Sequence, residues 1–401
     1  VSNEKFFAPI RDVVSMVKLK ASYGLVGNDQ IGGDRRFIYN ETVIGGGKYY
    51  FGTTPSQYTS VRLGEFPNPN VGWEKAKKLN LGADLSFFNQ LNISVDYFKE
   101  NREGIFLQRK SIPMYVGLST KPWVNIGKMR NSGIDASLEY HQPLGKDLHL
   151  TVRGNFTYAR NRIMDQDEPD YAYTYMNHSG QMQWQKFGLV AAGLFQDQED
   201  IDSWAKQSFG EVKPGDIKYL DLNGDGIVDN YDTKPIGYSD IPEIVYGFGF
   251  SLQWKAFDLS AFFQGVAHVS FSTLTDQTQA FVGRNLKESS VFADLYGNTW
   301  TPENPGAKYP RMTTGAIDNN NQLSTFWMAN GRYLRLKNLE LGYTLPKRIA
   351  NKIAMQSLRV YLSGVNLFTF SPFKLWDPDL QTGATNYPNN RIINLGLTIG
   401  F

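Results

Sequence analysis

The chain contains no cysteine in 401 residues, which removes disulfides, thiolate metal sites and cysteine nucleophiles and leaves the compartment open. Its four histidines, His141, His149, His178 and His268, form no paired metal-ligand motif. No Gly-x-Ser-x-Gly elbow and no phosphate-cradling P-loop occurs. The triple glycine at 45–47 lacks the strand and helix context of a nucleotide fingerprint and reads as a flexible loop. With 39 acidic residues some carboxylate pair is always close, so proximity alone is no sign of a glycosidase. Charge of one sign is lacking too: Lys plus Arg (41) nearly cancels Asp plus Glu (39) and neither gathers into a long run, which argues against nucleic acid as a partner. No run of eighteen apolar residues exists, so no helix is expected to cross a membrane. Val1 opens no signal-peptide pattern, which says nothing against secretion. A membrane protein with this sequence has to be a barrel.

What is abundant is aromatic: 26 Phe, 22 Tyr and 8 Trp, 14% of the chain, beside 38 Gly. Alternation with period two dominates throughout, the signature of strands with unlike faces. In "KLNLGADLSF", Leu79, Leu81, Ala83, Leu85 and Phe87 alternate with Asn80, Gly82, Asp84 and Ser86. After a turn at Asn89 and Gln90 comes "NISVDYF", which completes a hairpin. The pattern recurs at 18–23, 133–140, 148–158, 245–254, 257–269, 333–343 and 358–369, and ends in "NLGLTIGF". Roughly a dozen strands are expected, many near the nine to eleven residues that cross a bilayer obliquely and several longer, as if they continue beyond it.

Short turns ("NQ", "LGKD", "KAFD") alternate with long polar excursions at 24–72, 101–128, 160–186, 197–242, 270–325 and 371–390. Short turns at one rim and long loops at the other is the outer-membrane barrel arrangement. Closure follows from physics, because lipid cannot satisfy a sheet edge. A large soluble β-sandwich or propeller is the competing architecture, and the lack of blade-length repeats lowers the propeller.

Two stretches suggest sites. In "YLDLNGDGIVDNYDTKPIG", Asp221, Asn223, Asp225, Ile227, Asp229 and Asp232 occupy the ligand positions of an EF-hand-type loop, with Gly226 at its sharp turn. Asp232 is one methylene shorter than the usual terminal glutamate, which favours a weaker site or a smaller ion. Ca²⁺, or Mg²⁺, in a structural role is expected, against an acidic turn held by its own Asx hydrogen bonds. A sensor is not expected, since no amphipathic helices flank the loop. Chelation should then loosen 208–235 more than the barrel. In "DYAYTYMNHSGQMQWQ", Tyr171, Tyr173, Tyr175 and Trp184 sit among amides and hydroxyls, a chemistry suited to stacking on sugars or gripping a peptide. Membrane-interface tyrosines, or one face of a strand rising above the bilayer, are the alternative.

The ordered motifs "GLFQDQEDI", "KPGDIKYLDLNGDGIVDNYD", "PIGYSDIPEIVYGFGFSLQWKAFDLSAFFQG", "FWMANGRYLRLKNLELGYTLPK", "LRVYLSGVNLFTF" and the terminal "LGLTIGF" give the chain a resemblance to the SusC/RagA-type TonB-dependent transporters of Bacteroidetes outer membranes. "LKASYGLVGN" fits an earlier strand of the same barrel. The resemblance implies an all-β fold, an antiparallel transmembrane barrel of which residues 1–401 are the C-terminal half to two-thirds of 22 strands. The family's signal peptide, N-terminal β-sandwich, TonB box and plug would lie outside these residues.

It further implies energy-coupled import of oligosaccharides or peptides, with a SusD-like lipoprotein as lid and TonB–ExbB–ExbD acting through the N-terminal region. The barrel would be multi-pass in outer-membrane lipid, with its long loops extracellular, and would have no catalytic role. Asp221, Asn223, Asp225, Asp229 and Asp232 match the family's acidic loop. "WDPDL" at 376–380 matches its Asp-Pro-Glu with aspartate in the last place, and Phe401 matches the terminal aromatic read by the barrel-assembly machinery. Two other readings stay open: a calcium-stabilised extracellular glycan-binding or glycan-cleaving β-protein, and a passive porin.

Overall fold

The computed structural model describes all residues except 1, 3, 32–34, 55, 119, 276–277, 279–291, 314, 354 and 385. Ten strands form one sheet: β1 Val14–Asn28, β2 Glu74–Phe87, β3 Leu91–Gln108, β4 Trp123–Pro143, β5 Leu148–Asp165, β6 Ile244–Trp254, β7 Phe257–Ala267, β8 Tyr333–Thr344, β9 Ser357–Phe370 and β10 Ile392–Gly400. Each pairs antiparallel with its neighbours in this order, so the sheet is an up-and-down meander with β1 and β10 as its outer strands. Among the described residues this sheet holds ten of the roughly dozen strands expected, and five two-stranded sheets lie in the connections. β3, β4 and β5 run 18, 21 and 18 residues, well past the span of a bilayer.

Register keeps the alternation coherent from strand to strand. Leu81, Tyr97, Ile134 and Tyr158 form one row across β2–β5. Phe250, Ala261 and Leu339 continue the same face through β6–β8. This face is bare: Leu19, Tyr23, Leu81, Tyr97, Ile134, Leu341, Leu362 and Leu395 are exposed, Leu395 by 78%. A contiguous apolar surface of this kind calls for a membrane or a partner. The opposite face is polar and ion-paired. Lys20 Nζ lies 2.7 Å from Asp84 and 2.9 Å from Asp96, and Arg359 bridges Asp258 and Glu340. Close strand approach requires a glycine at 133, where a Cβ would stand 2.0 Å from the Tyr158 carbonyl oxygen.

The rims differ as the sequence suggests. Connections β2–β3, β4–β5, β6–β7 and β8–β9 are short and lie on one side, while 29–73, 109–122, 166–243, 268–332 and 371–391 all rise from the other. Part of the expected 270–325 excursion lies outside the described residues. Two features were not expected. Residues 45–47, read as a flexible loop, fall within a hairpin of Val43–Phe51 with Ser56–Leu63, where the register shifts between Gly45 and Lys48. The long connections also carry their own apolar core: Leu189, Leu194, Ile217, Tyr219, Val228, Leu295, Tyr309 and Trp327 are buried together. Among the described residues no helix is long and apolar enough to cross a membrane, which says nothing of strands.

Candidate functional site

The acidic loop is suspended between two short strands of that loop body. Ile217–Tyr219 pairs with Ala191–Leu194, and Lys234–Ile236 pairs with Lys186–Gly188. Val228 inside the loop packs into the apolar core. Asp221 accepts from the Gly224 and Gly226 amides at 2.7 and 2.8 Å. Asn223 and Asp225 accept from the amides two residues on. Gly226, at φ +85°, makes the reversal that a side chain would disfavour.

Asp232, fully buried, accepts from the Leu222, Asn223 and Asp229 amides at 2.7, 3.3 and 2.8 Å. It also completes a capping box with Asp229 around the turn Asn230–Asp232. The last acidic position therefore acts as an internal staple for three backbone donors. A carboxylate offers about four lone-pair sites, so the Asx turns leave acceptor capacity on Asp221 and Asp225. Among the described residues, however, no group of three or more His, Asp or Glu side chains is gathered so as to hold a metal ion.

Tyr173 and Tyr175 lie beside this loop. Tyr173 and Tyr175 stack with centroids 5.4 Å apart and planes within 5°, and Tyr173 meets Tyr231 edge-on at 6.2 Å. The Tyr175 hydroxyl donates to the Tyr231 carbonyl at 2.8 Å. Burial, and then the nearby Asp232, Asp221 and Asp225, push the Tyr175 phenol above its ordinary pKa, so it stays a neutral donor. Tyr171 tilts over His178 at 6.0 Å, and His178 stacks on Phe187 at 3.9 Å; burial lowers its pKa. Tyr175 sits on a single helical turn, Thr174–Met176, with Tyr173 at its N-terminal cap, rather than on a strand. Trp184 is apart from them, 61% exposed and held at φ +65°, with no ring partner among the described residues.

Two arrangements escaped sequence reasoning. A cleft of about 510 Å³ is lined by Phe292, Tyr309, Trp327 and Phe373, with the Asp294–Lys308 ion pair on its wall. Lys308 and the Tyr309 hydroxyl both donate to Asp294 and hold its carboxyl below the usual range. The "WDPDL" segment closes onto β8: Arg335, 2% exposed, reaches Asp377 at 2.5 Å, Asp379 at 2.6 Å and the Thr369 hydroxyl at 2.9 Å. Trp376 meanwhile packs with Phe271, Phe292 and Phe373. No spacing in the sequence links these residues.

Residues 38–367 match the family described as TonB dependent receptor-like, beta-barrel. The chain belongs to this family. Among its relatives, TonB-dependent receptor P3 of Formosa agariphila is 29% identical over 417 residues, covering 97% of this chain and 40% of that protein. TonB-dependent receptor SusC of Bacteroides thetaiotaomicron is 26% identical over 428 residues, covering all of this chain and 39% of that protein. The solved structure of the RagAB peptide importer in the closed-closed state superposes with a TM-score of 0.73 at 24% identity, covering all of this chain and 42% of that one; at that identity the likeness shows the fold alone. This TonB-dependent receptor barrel thus spans about 40% of the length of the relatives it matches, and the family places it in the outer membrane.

Proposed function

We propose that residues 1–401 form part of the barrel wall and the long loops of a TonB-dependent importer that takes up oligosaccharides or peptides. On this reading the long loops face outward and meet a SusD-like lipoprotein lid. Coupling to TonB–ExbB–ExbD runs through parts of the full-length protein outside these residues, and the chain catalyses nothing itself. The observation that carries the reading is the division of labour between rims: short turns on one side, and on the other five long connections, two of which share an apolar core. The aromatic cleft with its Asp294–Lys308 pair would take a sugar ring or a peptide side chain, and Tyr171, Tyr173, Tyr175 and Trp184 would lie at the surface the cargo passes.

In lipid the outer strands of the sheet need partners, which the remaining strands of the full-length barrel would supply. The exposed apolar face weighs against a soluble glycan-binding protein. The test is heat-modifiability: the full-length protein extracted from outer membranes should run as a compact band in SDS until boiled. A protein that folds as a soluble monomer without detergent contradicts the proposal.

For the acidic loop we propose a structural cation, Ca²⁺ or Mg²⁺, supported by the spacing of Asp221, Asn223, Asp225, the Ile227 carbonyl and Asp229, with Asp232 as the staple beneath. Such an ion would offset the repulsion among the carboxylates and stiffen the loop. Calorimetric titration of the full-length protein should show one such site, and no heat with either ion removes the claim.

A further inference from the structure

The bare apolar face of the sheet ends abruptly on its long-loop side. On β2 the outward row runs Leu85, Ala83, Leu81, Leu79 and then Lys77; on β3 it runs Ile93, Val95, Tyr97 and then Lys99. On β4 it runs Leu138, Ala136, Ile134, Ser132 and then Arg130, and on β5 Phe156 and Tyr158 are followed by Arg160 and Arg162. Tyr97 and Tyr158 thus close the apolar band, as tyrosines do at the headgroup level of a bilayer. Cations stand one or two steps above them on adjoining strands.

Several of these charges are already neutralised. Lys77 pairs with Glu103 at 3.0 Å, Lys128 with Asp165 at 3.7 Å, and Arg160 is bidentate to Glu243, itself 3% exposed. Three are not: among the described residues Lys99, Arg130 and Arg162 have no acidic partner, and Arg130 has only the Asn101 amide oxygen at 3.1 Å. Arg130 and Arg162 are direct cross-strand partners, both exposed. Like charges placed opposite each other in a sheet are unfavourable unless an anion lies between them.

We propose that Lys99, Arg130 and Arg162 bind the phosphate groups of lipid headgroups in the leaflet on the long-loop side. The proposal rests on the membrane placement of the apolar face. Two guanidinium forks can each grip a phosphate bidentately, and the Lys99 stem lies over the apolar band while its ammonium reaches the headgroup. Continuity with the lipid-facing surface selects a membrane phosphate over a dissolved one.

The test places the full-length protein in nanodiscs of phosphatidylcholine doped with diphosphoryl lipid A and follows lipid retention by native mass spectrometry. K99Q/R130Q/R162Q should retain diphosphoryl lipid A roughly a hundredfold less than wild type, each surface cation contributing about fivefold. K99R/R130K/R162K should keep most of it, and wild type should hold the monophosphoryl form less well. Equal retention by wild type and the glutamine variant overturns the proposal, as does full displacement by millimolar inorganic phosphate. Heat-modifiability in SDS is read in parallel. If the triple variant loses it, R162Q alone is measured, with about a fivefold fall expected and no fall overturning the proposal. Failure of wild type to show that band counts against the membrane placement instead.

Discussion

Replacing Arg335 with Met should release one loop and leave the barrel intact. Arg335 is 2% exposed and donates to Asp377, Asp379 and Thr369, with its guanidinium 5.0 Å from the Tyr333 ring centre. Removing one partner of a buried ion pair costs about 3–5 kcal/mol, because the other charge is left uncompensated. Here the stranded carboxylates are 15% and 32% exposed and can partly rehydrate by letting the loop swing out. The cost therefore falls near the lower bound, about 3 kcal/mol, and appears locally.

Trp376 and Phe373 leave their packing on Phe271 when that happens. Hydrogen exchange on the full-length protein in detergent should show amides of 372–381 exchanging on the order of a hundredfold faster in R335M, the factor that 3 kcal/mol implies, with β4 and β5 unchanged. The neutralised set R335M/D377N/D379N should recover more than half of that protection, since the unpaired charges are gone. Unchanged exchange in R335M, or a loss spread over the barrel strands, would show that Arg335 does not hold this loop.

Within the acidic loop, D232A strands the Leu222, Asn223 and Asp229 amides and should cost about 1–3 kcal/mol. D225A, at an exposed position, should cost well under half of that; limited proteolysis across 220–236 ranks the two, and equal sensitivity contradicts the staple role. His178 gives a pH dependence. Its folded pKa is depressed by burial, so the neutral ring contributes stability above the unfolded value of about 6.5, and that stability is lost as pH falls through the folded pKa. Acidification below pH 6.5 should therefore raise exchange in 166–187 in wild type and not in H178F; the same response in both variants rules this out.

The strands were legible in the sequence where one face meets lipid. β6, β7 and β9 agree with the alternation to within a residue or two, because every second side chain there is apolar. The alternation marks β4 only over 133–140, although the strand begins at Trp123. Above the apolar band both of its faces are polar, the contrast vanishes, and pairing with β3 and β5 continues unseen. The loop core was illegible for another reason. Leu189, Ile217 and Val228 come from one long connection and Trp327 from another, with no shared period, and Arg335 meets Asp377 and Asp379 only through the fold. Proximity of the tyrosines to the acidic loop, fixed by Tyr175 and Tyr231, is likewise tertiary. What the sequence did show there was local: the Asx spacing of 221–232 and the strands on either side of it.

Uptake by whole cells separates energy-coupled import from passive passage. Cells carrying the full-length protein are given labelled oligosaccharides and peptides with TonB intact or deleted. Energy-coupled import requires that one cargo class accumulates and that this accumulation collapses when TonB is deleted. Uptake that persists at the same rate without TonB describes a passive porin and contradicts it.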